Sequence, residues 1–378
     1  MRVTVLTLQE SDNYGAVWQA YALKTHLEIL GHTVTLPAIT PRAIHRRGMR
    51  RFIGRSLAET TAKCMNAYKR LSFNSFRARY LYHGRPRPLT SAAFLSHELT
   101  ADAFIVGSDQ VWNPNTIGRG STDRDLFWLS FAAPTTRRVA YAASFGVTQL
   151  SPEDIADLGP RARAFDAIGV REDTGLALVE SLGSQGEWTI DPTMLLPASH
   201  YEALLGSQRI AHARLLYQYE LHWPTVFDVR CLSAALAERL AARVAIPFPP
   251  RPFRDCACAA LDSPLQWLAN IAGATFVVTN SFHGVAMCTL FRKPFAVVPL
   301  AGPAASMNTR LESFLSRLGL QSRIVRDASA ATVDRLVAEP VDWNAVGDEV
   351  NRWRSRSAAF LIDALADRPK NALRASVG

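Results

Sequence analysis

Short apolar runs, each ending in polar or glycine residues and followed by a segment of helical periodicity, recur along most of this chain, and that alternation limits what it can fold into. RVTVLTL (2–8) is alternating and β-branched, a short strand. AVWQAYALKTHLEILG then spaces Val17, Tyr21, Leu23, Leu27 and Leu30 at near-helical intervals and closes on Gly31, and HTVTLPAI is the next strand. Strand, helix and strand in that order begin a parallel sheet. DAFIVG, RRVAYAAS, DAIGVR and EWTIDP continue it, each apolar as strands covered on both faces are, and each finishing in polar residues at a common rim.

The pattern restarts near residue 195. RLLYQYEL, RVAIPF, ATFVVTN and PFAVVPL read as strands, separated by helices through VRCLSAALAERLAA, PLQWLANIAG and a segment from Gly284. A chain of 378 residues exceeds one typical core. The expectation is an α/β protein of two Rossmann-like doubly wound domains facing across a cleft: residues 1–192 with a basic insertion at 41–90, then residues 193–343. Residues 344–378 would form a C-terminal helix packing back across the domains, since Val346, Val350, Trp353, Phe360, Leu361 and Leu365 share a face.

The formal charge of +9 is unevenly placed: residues 41–90 hold thirteen Arg or Lys against one acid, Glu59, so the remainder is slightly acidic. RAIHRRGMRRFIGR and the aromatic residues after it suit an anionic membrane surface, a polyanionic substrate or RNA; the plainer reading is a solvated insertion. No stretch of about 18 apolar residues occurs, and the N-terminus turns polar too soon for a secretory signal. The five cysteines lack zinc-knuckle or redox-pair spacing and read as reduced thiols, so a cytoplasmic protein is expected.

Chemistry concentrates where strands end. In QESDNYG a helix opening at Gly15 aims free N–H groups at an anion, although Asp12-Asn13 equally reads as an N-cap and turn; GxGxxG is absent. FIVGSDQVWNP sets Ser108, Asp109, Gln110, Trp112 and Asn113 after a strand, either a sugar platform or a capped turn with a core Trp. Ser144 repeats the theme in AYAASFG. Arg171 leaves a buried strand ahead of Glu172 and Asp173, placed either to grip phosphate or carboxylate or to pair with a neighbouring acid. In VVTNSFHG, Asn280 or Ser281 caps a helix whose first turn carries His283, a general acid or a packing residue. Asn308 and Arg310 open a further helix as a second anion clamp.

Taken in order, DNYGAVWQAYALKTHLEILGH, FIVGSDQVWNP, AYAASFG, GVREDTG, IDPTMLL, TNSFHGVAMCTLFRKPF and NTRLESFLSRLGL resemble the polysaccharide pyruvyl transferase family over about residues 7–325. The resemblance implies a GT-B-like enzyme that takes phosphoenolpyruvate as co-substrate, forms a pyruvate ketal on a glycan or lipid-linked oligosaccharide acceptor, and needs no metal or other cofactor. It places the family's catalytic histidine on His283 and the arginine of its Arg-Glu motif on Arg171, with Asp109 as the candidate for removing hydroxyl protons. Donor-binding positions are then Asn13, Gly15, Ser108, Ser144, Ser281, Asn308 and Arg310; acceptor-binding positions are Gln110, Trp112 and Asn113. One departure stands out: the family resembled here carries Arg-(apolar)-His at this turn, whereas this chain has Ser281-Phe282-His283, leaving Arg310 or Arg292 to supply the missing charge.

On this reading residues 41–90 give peripheral contact with the anionic inner membrane, and nucleic acid is not the expected partner. The competing readings are a GT-B glycosyltransferase using a nucleotide sugar and a non-catalytic glycan- or nucleic-acid-binding relative.

Overall fold

The structure is a computed structural model that describes residues 1–41, 57–97, 100–206, 214–221, 223–248 and 258–366. The basic run RAIHRRGMRRFIGR lies outside the described residues. Two compact units emerge: Met1–His45 with Ala78–Leu195 and Val350–Gly378, and Arg46–Arg77 with Leu196–Glu349.

Unit 1 is built on six parallel strands: β1 (Arg2–Leu6), β2 (Thr33–Thr35), β5 (Ala103–Val106), β6 (Arg137–Ala143), β7 (Ala167–Val170) and β8 (Glu187–Trp188), in the order β2-β1-β5-β6-β7-β8. A two-stranded parallel ladder, β3 (Ile39–Thr40) with β4 (Leu89–Thr90), stands beside it. All four residues of β5 are buried, as expected of a central strand covered on both faces. The strand expected through EWTIDP stops at Trp188, because the chain turns at Asp191 into a short 3-10 turn, Pro192–Met194. Leu6, Phe104, Val106, Trp112, Trp128 and Phe145 belong to one apolar core.

Unit 2 has five parallel strands: β9 (Leu215–Tyr219), β10 (Arg243–Pro247), β11 (Ala259–Ala260), β12 (Phe276–Thr279) and β13 (Phe295–Val297), in the order β11-β10-β9-β12-β13. The Pro264–Gly273 helix matches its sequence pattern residue for residue, with Ser263 as N-cap and Pro264 at the first helical position. The Leu57–Phe76 helix of the basic segment belongs to this unit, where Tyr68 meets the ring of Phe248. The tail helix runs Trp343–Leu365, its residues from Val350 onward belonging to unit 1.

Each sheet has a switch point where successive connections leave in opposite directions, opening a crevice beyond the carboxyl ends of the strands. It lies between β1 and β5 in unit 1 and between β9 and β12 in unit 2. The loops at these two places carry most of the residues singled out above.

Candidate active site

At the rim of unit 1, the loops after β5, β6, β7 and β8 are tied together by buried charges. Arg171 Nη1 donates to Asp191 Oδ2 (3.2 Å) and Ser108 Oγ (3.3 Å), and Ser108 Oγ donates to the same Asp191 oxygen (3.0 Å). Asp191 Oδ1 accepts from the Thr193 amide (3.0 Å) and hydroxyl (2.7 Å). Glu172 Oε1 gathers the Ser144 hydroxyl (3.0 Å) with the Phe145 and Gly146 amides (2.9 and 3.3 Å). Gly146, at φ +61°, leaves no space for a side chain: a Cβ there would lie 2.8 Å from Asn113 Nδ2.

Several of the candidate side chains are engaged within this network or buried beside it. Arg171 forms the ion pair with a neighbouring acid, Asp191, and both side chains are fully buried. Ser108 and Ser144 spend their buried hydroxyls on Asp191 and Glu172. Trp112 is a core residue, stacked on Trp128 at 4.3 Å with its indole N–H donated to the Phe127 carbonyl, so its ring offers no face to a sugar. Asn113 is buried and donates to Gln110 Oε1 (2.7 Å), while Gln110 is partly exposed. Asn13 is the N-cap of the Tyr14–Ile29 helix, accepting the Ala16 amide, and Gly15 is buried in its first turn.

Asp109 is different. Its backbone sits at φ +79°, a left-handed conformation uncommon outside glycine, and its side chain is 21% exposed. The carboxylate lies 3.8 Å from Arg171 Nη2, so a buried guanidinium stands behind a carboxylate that reaches the surface. Arg171 thereby positions this rim rather than presenting itself to solvent.

At the rim of unit 2, β12 ends at Thr279 and the Phe282–Leu290 helix begins at once, with Ser281, one of the two expected caps, accepting the Gly284 amide (3.4 Å). His283 lies in the first turn, 6% exposed. Gly284 is required beside it, since a Cβ there would come within 2.7 Å of Thr279 Oγ1. Asn280 does not cap; it clamps the loop after β9, accepting the Leu221 amide (2.6 Å) and donating to the Leu221 carbonyl (3.0 Å). Asn308 does the same for the loop after β13, pairing with the Leu300 amide and carbonyl, both at 2.9 Å. An anion clamp by Asn308 would cost that pairing.

Ser281 therefore serves the helix in place of the arginine expected there. Arg292 follows the C-terminal end of the same helix, away from the first turn that carries His283. Arg310 opens the Thr309–Arg317 helix, which packs on the His283 helix through Phe314 against Phe282 (5.4 Å between ring centres), and its side chain is buried with Nε 3.4 Å from the Met307 carbonyl. Among the described residues no three His, Cys, Asp or Glu are grouped to hold a metal ion, and no helix is long and apolar enough to cross a membrane.

Residues 13–300 match the model of the polysaccharide pyruvyl transferase family. The chain belongs to that family. It is a transferase by that membership, and the family implies a glycan acceptor. The match contains every unit 1 candidate and His283, while Asn308 and Arg310 lie beyond it. Among curated proteins no sequence match is found. Among solved structures, this polysaccharide pyruvyl transferase family member is similar to the UDP-GlcNAc 2-epimerase of Neisseria meningitidis bound to UDP-GlcNAc (11% identity, TM-score 0.53, 97% of this chain and 99% of that one). A putative UDP-N-acetylglucosamine 2-epimerase from Listeria monocytogenes gives 11% identity and TM-score 0.52 over 97% and 98% of the two chains. These likenesses extend over nearly the whole chain and show the fold, which is α/β and GT-B-like.

Asp191 and Glu172 organise the unit 1 rim, although the sequence reading assigns neither a role in the site. The first stands in IDPTMLL and the second in GVREDTG, both among the segments that carry the family resemblance.

Proposed function

We propose that this protein transfers the enolpyruvyl unit of phosphoenolpyruvate to two hydroxyls of a glycan or lipid-linked sugar, forming a pyruvate ketal and releasing phosphate, with His283 as general acid. The observation that carries this reading is His283 in the first turn of a capped helix at the switch point of unit 2, inside the family match. Helix N-termini offer unsatisfied amides and a positive dipole end to a phosphate or carboxylate. Protonation of the methylene carbon of the enol leaves an oxocarbenium-like carbon for a sugar hydroxyl to attack, and a second hydroxyl then displaces phosphate. Asp109 accepts the hydroxyl proton; its partly exposed carboxylate on a left-handed backbone supports that role. Arg310, on the helix that packs against the His283 helix, is the candidate for the charge that Ser281 does not supply.

The test is incubation of the purified protein with phosphoenolpyruvate and a panel of acceptor glycosides. The expected result is phosphate release together with a product heavier than the acceptor by pyruvate less water. Thermal stabilisation by a nucleotide sugar and not by phosphoenolpyruvate would instead identify a glycosyltransferase.

A further inference from the structure

Trp112 is buried against Trp128, but another tryptophan is not. All eight tryptophans lie within the described residues, and Trp223 is the one classed as exposed, at 54%. Leaving so large an apolar ring in water forgoes burial that the other seven tryptophans gain in whole or in part. Its place is specific. Trp223 belongs to the connection after β9, and His283 to the connection after β12, the two that border the switch-point crevice of unit 2.

The mount is rigid. The Trp223 amide donates to the Leu221 carbonyl (2.7 Å), and Leu221 is the residue that Asn280 clamps through both its backbone groups. On the other side, Val226 donates to the Pro299 carbonyl (3.1 Å), Ala301 donates to the Pro224 carbonyl (2.8 Å), and Thr225 bridges to Leu300. The backbone on both sides of the exposed indole is thus tied to the loops after β12 and β13, and three residues in sequence separate the clamp at Asn280 from His283. Pro224 and Val226 are also exposed, which extends the apolar lip. Glu220, partly exposed just after β9, brings to the same connection a carboxylate whose Oε1 accepts from Gln218 Nε2 (2.8 Å).

We infer that Trp223 is the stacking platform for the acceptor, taking the apolar C–H face of a pyranose while Glu220 accepts from its hydroxyls. A rigid aromatic ring presents such a face at little cost in conformational entropy, and a nearby carboxylate supplies the polar partner. This rests on the glycan-acceptor part of the proposed function but not on phosphoenolpyruvate as donor.

The experiment is saturation-transfer NMR on the full chain with methyl β-glucoside, methyl β-galactoside, methyl α-mannoside and lactose, followed by titration, for wild type, Trp223→Ala and Trp223→Phe. Binding of at least one sugar by wild type, weakened roughly tenfold by Trp223→Ala and largely kept by Trp223→Phe, is the expected result. In wild type the same sugar should shield tryptophan fluorescence from acrylamide, a readout that needs no variant to fold. Equal affinity of wild type and Trp223→Ala, or no sugar bound by wild type, overturns the inference. Pyruvyl transfer with an unchanged acceptor KM in Trp223→Ala removes the platform and leaves the reaction standing. Sugar binding that depends on Trp223 without any transfer does the reverse.

Discussion

Arg171 Nη1 and Asp191 Oδ2 are 3.2 Å apart, and neither side chain has exposed surface. Two charges taken out of water depend on one another, so removing one leaves the other uncompensated, a loss of about 3–5 kcal/mol. Arg171→Ala and Asp191→Ala should each lower the unfolding free energy by that order. The double variant should fall well short of the sum, because the second removal leaves no orphan charge. Urea denaturation of the four proteins measures the coupling; strict additivity would mean that the pair is not energetically linked.

His283→Gln keeps a polar side chain of similar reach and removes the acid. Turnover should fall by roughly 10² to 10⁴, with the melting temperature close to wild type. Phosphate release from phosphoenolpyruvate in the presence of acceptor is the measurement. Retention of most of the turnover would return His283 to the packing role that its low exposure also allows.

The strand–helix alternation was legible because strands buried on both faces write themselves as short apolar runs, and ATFVVT and AFIV do so plainly. The side-chain assignments were legible only as alternatives. Whether Arg171 grips a ligand or a protein acid depends on Asp191, twenty residues further on, whose approach is a tertiary fact set by the β7–β8 pairing. Trp112 follows a polar turn and reads equally as a rim residue or a core residue. The backbone at Asp109 reverses the chain there, and the indole enters the core beside Trp128. Asn280 and Ser281 were interchangeable as caps in the sequence; the neighbouring Leu221 peptide takes Asn280 and leaves the cap to Ser281.

Asn280 holds the Leu221 peptide by both its donor and its acceptor, which no aliphatic side chain can do. Asn280→Ala should cost about 1–3 kcal/mol and loosen the connection that carries Trp223. Hydrogen exchange resolves the two effects. The Leu221 amide should exchange much faster in the variant while amides within β9 stay protected, and unchanged exchange at Leu221 would assign its protection to something other than this clamp.

Burial pushes the Cys288 thiol up from its ordinary value of 9.0. A raised folded-state value means that its contribution to stability is complete below 9.0 and is lost as the pH rises beyond it, because the unfolded chain ionises first. Urea midpoints of wild type should therefore decline on the alkaline side more steeply than those of Cys288→Ala. Iodoacetamide at neutral pH should label the exposed Cys64 and Cys231 and spare Cys288 until the protein is unfolded.

Asp109 holds φ +79°, with its carbonyl accepting the Val111 (2.8 Å) and Ser144 (3.0 Å) amides and its carboxylate accepting the Gln110 amide (2.9 Å). A left-handed residue with a Cβ costs about 1 kcal/mol that glycine does not incur. Glycine in turn loses roughly 0.5–1 kcal/mol through the freedom it gives the unfolded chain. Asp109→Gly should accordingly stay within about 1 kcal/mol of wild type, and Asp109→Ala should be the less stable of the two, since it keeps the strain and loses the carboxylate's bond to Gln110. If the carboxylate takes the acceptor's proton, both variants lose turnover alike despite their different stabilities. Melting curves and kcat on the same preparations test this together: a stable Asp109→Gly with wild-type kcat would make Asp109 a turn residue and nothing more.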